Sequence, residues 1–133
     1  MASLRLESYA RSVLRIVIGF TFTCHGCQKL FGFFGGMGGG GAKARLFSLM
    51  WAAGCIETIG GVLILLGLFT VPVAFILCGE MAVAYFMQHY PHGVFPIRNG
   101  GELAVLYCFI FLYLFTAGPG AVSLDSIVRR KRH

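Results

Sequence analysis

Residues 79–102 read GEMAVAYFMQHYPHGVFPIRNGGE and combine polar groups with a strongly apolar setting. They hold two of the five acidic residues and two of the four histidines of the chain, together with Arg98. An ionised group in hydrocarbon costs roughly 2.5–3.5 kcal/mol on insertion scales. The carboxylates and imidazoles of this stretch therefore either pair with other polar groups or serve a function.

The composition indicates an integral membrane protein rather than a soluble domain. Apolar residues make up 57% of the 133 residues and charged residues 12%, whereas ordinary globular domains contain about 45–50% and about 25%. A soluble domain of this length could not cover so apolar a core with 11 basic and 5 acidic side chains.

Four apolar stretches are long enough to cross a bilayer. They cover about 13–34, 46–69, 71–90 and 101–117. At 1.5 Å per residue, such lengths suit a hydrocarbon core of about 30 Å. Because the apolar runs are continuous rather than alternating, we expect helices and not barrel strands. The sequence therefore predicts an all-α, integral membrane, up-down four-helix bundle that forms a single domain over residues 1–133.

The basic residues indicate membrane topology rather than nucleic-acid binding, although the formal net charge is +6. Of the eleven lysines and arginines, seven lie near the two termini, including Arg129, Arg130, Lys131 and Arg132 after the last span. Lysine and arginine concentrate on the cytoplasmic side of membranes. We therefore expect a multi-pass protein with both termini in the cytoplasm.

Polar side chains from the first, third and fourth spans are predicted to share the outer leaflet. They are His25, Gln28, Lys29, Tyr85, His89 and Glu102, with His92 and Arg98 in the outer loop. Such a cluster can orient a small molecule or move protons. The alternative is structural, with Glu102 paired to Arg98 or Lys29 at the membrane interface.

Two carboxylates are predicted to lie deeper, near the midplane of the bilayer. Glu57 shares a helix face with Gly54 and Gly61, where small residues permit close helix contact. It either tunes the polar site from below or is neutral and hydrogen-bonded between helices. Glu80 points about 180° away from His89 at 100° per residue, so its role is a separate question.

Cysteine and histidine patterns suggest further sites without deciding them. Cys24 and Cys27 form a C-x-x-C in the first span, which is either a redox pair or two packing residues. Cys55, Cys78 and Cys108 are expected to be small buried hydrophobes. His25 and His89 could ligate a haem from facing helices, but the sequence has no second histidine pair at helical spacing to support this. A metal site formed by His25, His89, His92 and Glu102 is a further alternative, but we predict no metal site.

An ordered set of short motifs runs along nearly the whole chain and resembles the DoxX family of small four-helix membrane proteins. The motifs are Leu14-Arg15 with Gly19, His25-Gly26-x-Gln28-Lys29-Leu30-Phe31-Gly32, Phe34-Gly35-Gly36, Gly54-x-Ile56-Glu57-x-x-Gly60-Gly61, Leu66-Gly67, Met81-Ala82-x-Ala84-Tyr85, His89, Gly93, Pro96, Asn99-Gly100-Gly101-Glu102 with Leu106-Tyr107, Gly118-Pro119-Gly120 and Ser123-Leu124-Asp125.

The resemblance implies a redox-associated protein of the bacterial inner membrane. Named members look like the membrane subunit of a thiosulfate:quinone oxidoreductase, or like membrane partners of thiol-stress and superoxide-detoxifying enzymes. The implied function is a quinone-linked oxidoreductase subunit or accessory, with a quinone favoured over a haem as the cofactor. Its implied partners are redox subunits or further copies of the same chain, and whether the chain alone is an enzyme stays open.

The resemblance also assigns residues, all by their place in the motifs. Catalytic roles are expected for Glu102, His89 and His25. Substrate binding is expected for Lys29, Gln28, Tyr85, Asn99 and Glu57, and Arg15 belongs to the same motifs. Two other functions stay open, namely a non-enzymatic membrane scaffold and a small-molecule transporter or channel formed by an oligomer.

Overall fold

A computed structural model describes residues 1–131 and is all-α over that range, which confirms the predicted class. Arg132 of the basic tail lies outside these residues. The α-helices of the described chain are α1 (Ala2–Phe31), α2 (Leu49–Leu66), α3 (Thr70–Ala84), α4 (Pro96–Asn99), α5 (Glu102–Ala117) and α6 (Leu124–Arg130).

Within residues 1–131, two helical stretches are long and apolar enough to cross a membrane. They are α2 and the continuous stretch Thr70–His92, which extends α3. The helix α5 is apolar but has 16 residues. Four spans in up-down order therefore stay a prediction.

The helix boundaries differ most from the predicted spans at α1. This helix begins at Ala2, eleven residues before the predicted start at residue 13. Its first turns precede the apolar run and carry an ion pair between side chains. Arg11 Nη2 lies 2.8 Å from Glu7 Oε1, an i,i+4 ion pair on the helix surface. A helix need not begin where the apolar run begins, and only the apolar run can be read from hydropathy.

Contacts divide the chain into two units, Met1–Thr70 with Pro119–His133, and Val71–Gly118. The first contains α1, α2 and α6. The second contains α3 beyond its first residue, α4 and α5. The single domain over residues 1–133 stays a prediction.

In the first unit, glycines let α1 and α2 pack backbone to backbone in antiparallel order. A Cβ added to Gly19 would lie 2.7 Å from Leu65 Cα, and one added to Gly61 would lie 2.7 Å from Thr23 N. Real Cβ atoms do not approach so closely, so only glycine fits. Small residues at such interfaces are the usual means by which membrane helices approach each other.

Arg15 fastens one end of this unit. The residue is 1% exposed, and Nη1 donates to the carbonyl oxygens of Ile64 and Leu65 at 2.6 and 2.5 Å. Nε donates to Pro119 O at 2.9 Å, and Nη2 donates to Val122 O. The guanidinium therefore binds carbonyl oxygens at the end of α2, of which Ile64 O also accepts from Gly67 N at 3.0 Å, and joins them to the turn before α6.

Asp125 completes the same end of the unit. Its Oδ1 accepts from Phe69 N and its Oδ2 from Thr70 N, both at 2.9 Å. These N–H groups lie at the start of α3, where a carboxylate is favoured by the helix dipole. Ser123 caps α6, since its Oγ accepts from Ser126 N.

In the second unit, α3 and α5 each bury one stripe of residues. Ala74, Leu77 and Met81 are buried on α3, and Ala104, Tyr107, Phe111 and Leu114 on α5. The rings of Phe75 on α3 and Phe115 on α5 contact each other with centroids 5.3 Å apart. The spacing of three and four residues is that of a helix with one packed face.

Candidate functional site

Lys29 and Glu57 form an ion pair between α1 and α2. Lys29 Nζ donates to Glu57 Oε1. Glu57 is 2% exposed, while the Lys29 side chain is 20% exposed. Because both residues lie in predicted spans, the pairing offsets much of the cost of placing two separate charges in hydrocarbon.

The second carboxylate oxygen of Glu57 is buried without a partner. Oε2 makes no hydrogen bond to any residue within 1–131. A buried polar atom in this state carries a desolvation cost of about 1–3 kcal/mol, and more when it is charged. Either a proton on this carboxylate or a ligand that donates to Oε2 would remove the cost. The arrangement therefore has a place for a proton or for a hydrogen-bond donor.

The local sequence explains why the pair forms. Lys29 lies in the last turn of α1, where the helix dipole favours a cation. Its carbonyl oxygen accepts from Ala44 N at 2.7 Å, which ties the connecting loop to the end of α1. One turn before Glu57, a Cβ on Gly54 would lie 3.1 Å from Lys29 Cβ. The predicted face shared by Gly54, Glu57 and Gly61 is confirmed, since all three are buried.

His25 and Gln28 lie on α1 within about one turn of Lys29 and are half-buried. Cys24 and Cys27, on the same helix, are half-buried free thiols. The redox role of the C-x-x-C stays open.

In the second unit, Asn99 is the centre of a hydrogen-bond network that closes the segment between α3 and α5. Its Nδ2 donates to Gly93 O at 2.8 Å and to Tyr85 Oη at 3.2 Å. Its Oδ1 accepts from Gly101 N at 2.8 Å. Tyr85 Oη in turn donates to Val94 O at 3.0 Å. The amide of Asn99 thus uses both ends to hold the loop.

His89 belongs to the same network. Its Nδ1 lies 3.2 Å from Asn99 O, and its ring stacks on Tyr85 with centroids 6.3 Å apart. With a carbonyl as the acceptor, Nδ1 carries the proton and a neutral ring keeps Nε2 as an acceptor. Tyr85–His89 is a single π-helical turn, a local geometry that often marks functional sites. Hydropathy and residue spacing do not reveal this wider turn.

Glu102 is the first residue of α5, one residue after the start of the predicted span. It is exposed, and its side chain has no ion-pair partner within the second unit. Within the second unit, the predicted alternative of a Glu102 pair with Arg98 is not formed, and the alternative pair with Lys29 stays a prediction. The helix N-terminus favours its negative charge.

The predicted site residues thus fall into two groups, one in each unit. Lys29 contacts Glu57 in the first unit, and Tyr85, His89 and Asn99 contact one another in the second. That both groups serve one site stays a prediction. Among residues 1–131, no three side chains of His, Cys, Asp or Glu are grouped as a metal site would require.

Comparison with known proteins decides the family. The family model named DoxX matches residues 10–90. The chain belongs to the DoxX family. An uncharacterized protein of Haemophilus influenzae is 46% identical over 126 residues, which cover 92% of each chain, and no solved structure matches. Membership in DoxX and the apolar helices together identify a membrane protein, whereas the comparisons give no activity.

Sequence reasoning missed the structural role of Arg15 in this DoxX protein. The residue was expected among the topology charges and the family motifs. Its place on the buried glycine face of α1, with Gly19 and Gly26, was the available signal. A charge on that face must find buried partners, and here the partners are backbone carbonyls that sequence patterns do not display.

Proposed function

We propose that this DoxX protein is a redox-associated subunit of the bacterial inner membrane that binds a quinone beside Lys29 and Glu57. The observation that carries the proposal is the buried pair itself, with Glu57 Oε2 left without a partner. The resemblance to quinone-linked family members supports the choice of ligand. A quinone is soluble in lipid and therefore reaches a site between membrane helices.

The chemistry of quinone reduction suits these two side chains. A quinone takes up two electrons and two protons to become a quinol. The ammonium of Lys29 has three donors, of which one is used by Glu57, so it can donate to a quinone carbonyl oxygen. Protonated Glu57 can supply a proton through Oε2 to the developing quinol oxygen. Gln28 lies close along α1 and would hold the second carbonyl.

The remaining residues would exchange protons with water at the outer surface. Glu102 is exposed, and His89 has a second ring nitrogen beyond its bond to Asn99. Together with His25 they form the proposed route, with Tyr85 and Asn99 fixing the loop around it. Electrons would come from partner redox subunits or from a further copy of the chain.

The topology belongs to the same proposal. We infer four spans in up-down order, with the polar residues in the outer leaflet and both termini in the cytoplasm. The basic residues Arg129, Arg130 and Lys131 at the end of α6 support this orientation. Cysteine labelling of single-cysteine variants in intact cells would test it. Labelling at residue 40 from outside is expected, and labelling at residue 3 from outside would contradict it.

Quinone binding can be measured through the single tryptophan of the chain. Trp51 lies six residues before Glu57 on α2, about 9 Å along the helix axis. Quenching of its fluorescence by a short-chain quinone in lipid nanodiscs would report occupancy. Wild type should bind, and Glu57→Gln and Lys29→Met should each bind about tenfold more weakly, a loss of about 1.4 kcal/mol.

Arg5→Gln is the matched control, because Arg5 is exposed on the first turns of α1. Circular dichroism would verify that each variant is folded. Equal quenching in wild type and both site variants would remove the quinone site. In that event the scaffold role would stand, with Lys29 and Glu57 acting only to fasten α1 to α2.

A further inference from the structure

Cys78 on α3 and Cys108 on α5 face each other inside the second unit. Their sulfur atoms are 3.7 Å apart. The thiol of Cys108 also lies 3.5 Å from the carbonyl oxygen of Cys78, as donor to acceptor. Both residues are half-buried free thiols. The sequence predicted only two small packing residues, so this contact is a product of the fold.

The two sulfur atoms are close enough for a bond to form by small side-chain movements. A disulfide needs an S–S distance of about 2.05 Å, so the atoms must approach by about 1.7 Å. The rings of Phe75 on α3 and Phe115 on α5 are a second contact between these helices, with centroids 5.3 Å apart.

The position of the pair restricts the oxidants that can reach it. Cys78 is the ninth residue of α3 and Cys108 the seventh of α5, about 12 and about 9 Å from the first residues of their helices. Both lie among apolar residues in predicted spans. Polar oxidants and glutathione do not enter hydrocarbon, whereas a lipid-soluble quinone does.

We propose that Cys78 and Cys108 form a reversible disulfide within the membrane and that a quinone is the oxidant. Two S–H bonds break and one S–S bond forms. The two electrons and the two protons pass to the quinone, whose two carbonyl oxygens become the hydroxyls of a quinol. The disulfide then ties α3 to α5, and the dithiol is an electron donor carried by the chain itself. The choice of oxidant rests on the proposed function, whereas the pairing of the thiols does not.

The test uses a full-length variant that keeps only this pair, with Cys24→Ala, Cys27→Ala and Cys55→Ala. The protein in lipid vesicles is treated with a short-chain quinone, denatured and labelled with a maleimide that adds visible mass to each free thiol. Two labels are expected before treatment and none after it, with both restored by a membrane-permeable phosphine. One quinol should form for each disulfide, measured by absorbance.

The matched control keeps Cys24, Cys27 and Cys55 and carries Cys78→Ala and Cys108→Ala. It should retain its three labels after the quinone, which shows that the reaction belongs to the facing pair. Retention of both labels by the first variant, under quinone and under copper–phenanthroline, would overturn the disulfide. If the disulfide formed with copper–phenanthroline but not with the quinone, the quinone would be overturned as its oxidant.

Quenching of Trp51 by the same quinone, in the same vesicles, separates this inference from the proposed function. If the quinone quenches Trp51 normally but no disulfide forms between Cys78 and Cys108, only the disulfide proposal is contradicted. If the disulfide forms but Trp51 is not quenched, the quinone site at Lys29 and Glu57 is contradicted and the disulfide proposal stands.

Discussion

The ammonium of Lys29 donates to the carboxylate of Glu57 across the contact between α1 and α2, within an otherwise apolar part of the chain. Each charge is compensated only while the other is present. Removing one partner of a buried pair costs about 3–5 kcal/mol, whereas replacing both by apolar groups is often neutral or stabilising. We therefore predict that Lys29→Met destabilises the protein and that the double variant Lys29→Met, Glu57→Leu regains most of the loss.

The free energy of unfolding can be measured by SDS titration in mixed micelles, with Trp51 fluorescence as the signal. The single variants Lys29→Met and Glu57→Leu, together with the double variant, form a double-mutant cycle. A coupling energy near zero would show that the ion pair does not hold the helices together. Quinone binding should stay lost in the double variant even where stability returns, because the polar groups are gone.

Arg15 should not be replaceable by lysine. Its guanidinium reaches carbonyls in two directions, Ile64 and Leu65 on one side and the turn at Pro119 and Val122 on the other. A lysine is a single point donor on a flexible stem and cannot span them. Arg15→Lys should therefore lower the unfolding free energy by about 1–3 kcal/mol for each buried carbonyl left unpaired. Ile64 O does not count toward this loss, because Gly67 N also donates to it.

The exposed Arg5 provides the comparison for this prediction. Arg5→Lys should leave the free energy of unfolding in SDS within about 0.5 kcal/mol of the wild-type value, as surface substitutions usually do. If Arg15→Lys matched Arg5→Lys, the carbonyl contacts of Arg15 would not contribute to stability.

Local and periodic features of this fold could be predicted from the sequence. The face of Gly54, Glu57 and Gly61 follows from a period of 3.6 residues, and the glycine at 118 and the serine at 123 mark helix ends that the structure has. These features depend on neighbours along the chain. The same holds for Glu102 as the first residue of α5.

The contacts between distant residues could not be predicted, because they depend on helix ends and rotations. Lys29 was expected near the outer surface and Glu57 near the midplane. The helix α2 begins at Leu49, which places Glu57 about 12 Å along it, and the long side chain of Lys29 covers the remaining depth. The meeting of Cys78 with Cys108 likewise needs the relative rotation of α3 and α5, which hydropathy does not contain.

Asp125 should stabilise the start of α3 through both of its oxygens. Asp125→Ala removes two acceptors from Phe69 N and Thr70 N and should cost about 0.5–2 kcal/mol. Asp125→Asn keeps one acceptor and loses the charge, so we expect an intermediate loss. Glu7→Gln is the control, because the Glu7 side chain is 54% exposed and surface ion pairs contribute about 0–1 kcal/mol. An Asn variant as unstable as the Ala variant would contradict a role for both oxygens.

Two glycines within membrane helices should respond in opposite ways to the same added methyl group. In Gly61→Ala the new Cβ would lie 2.7 Å from Thr23 N and 3.0 Å from Gly19 O. Since these are backbone atoms, α1 and α2 would have to separate, and overpacking of this kind costs about 1–3 kcal/mol.

Gly79 lies in α3 with nothing within 4 Å of an added Cβ. Gly79→Ala should therefore be neutral or stabilising by about 0.5–1 kcal/mol, the usual gain of alanine over glycine in a helix. SDS unfolding of both variants under identical conditions compares them directly. Quinone binding should fall only in Gly61→Ala, because separation of α1 from α2 also separates Lys29 from Glu57. Equal destabilisation of the two variants would mean that the loss of stability comes from replacing glycine itself rather than from the α1–α2 contact.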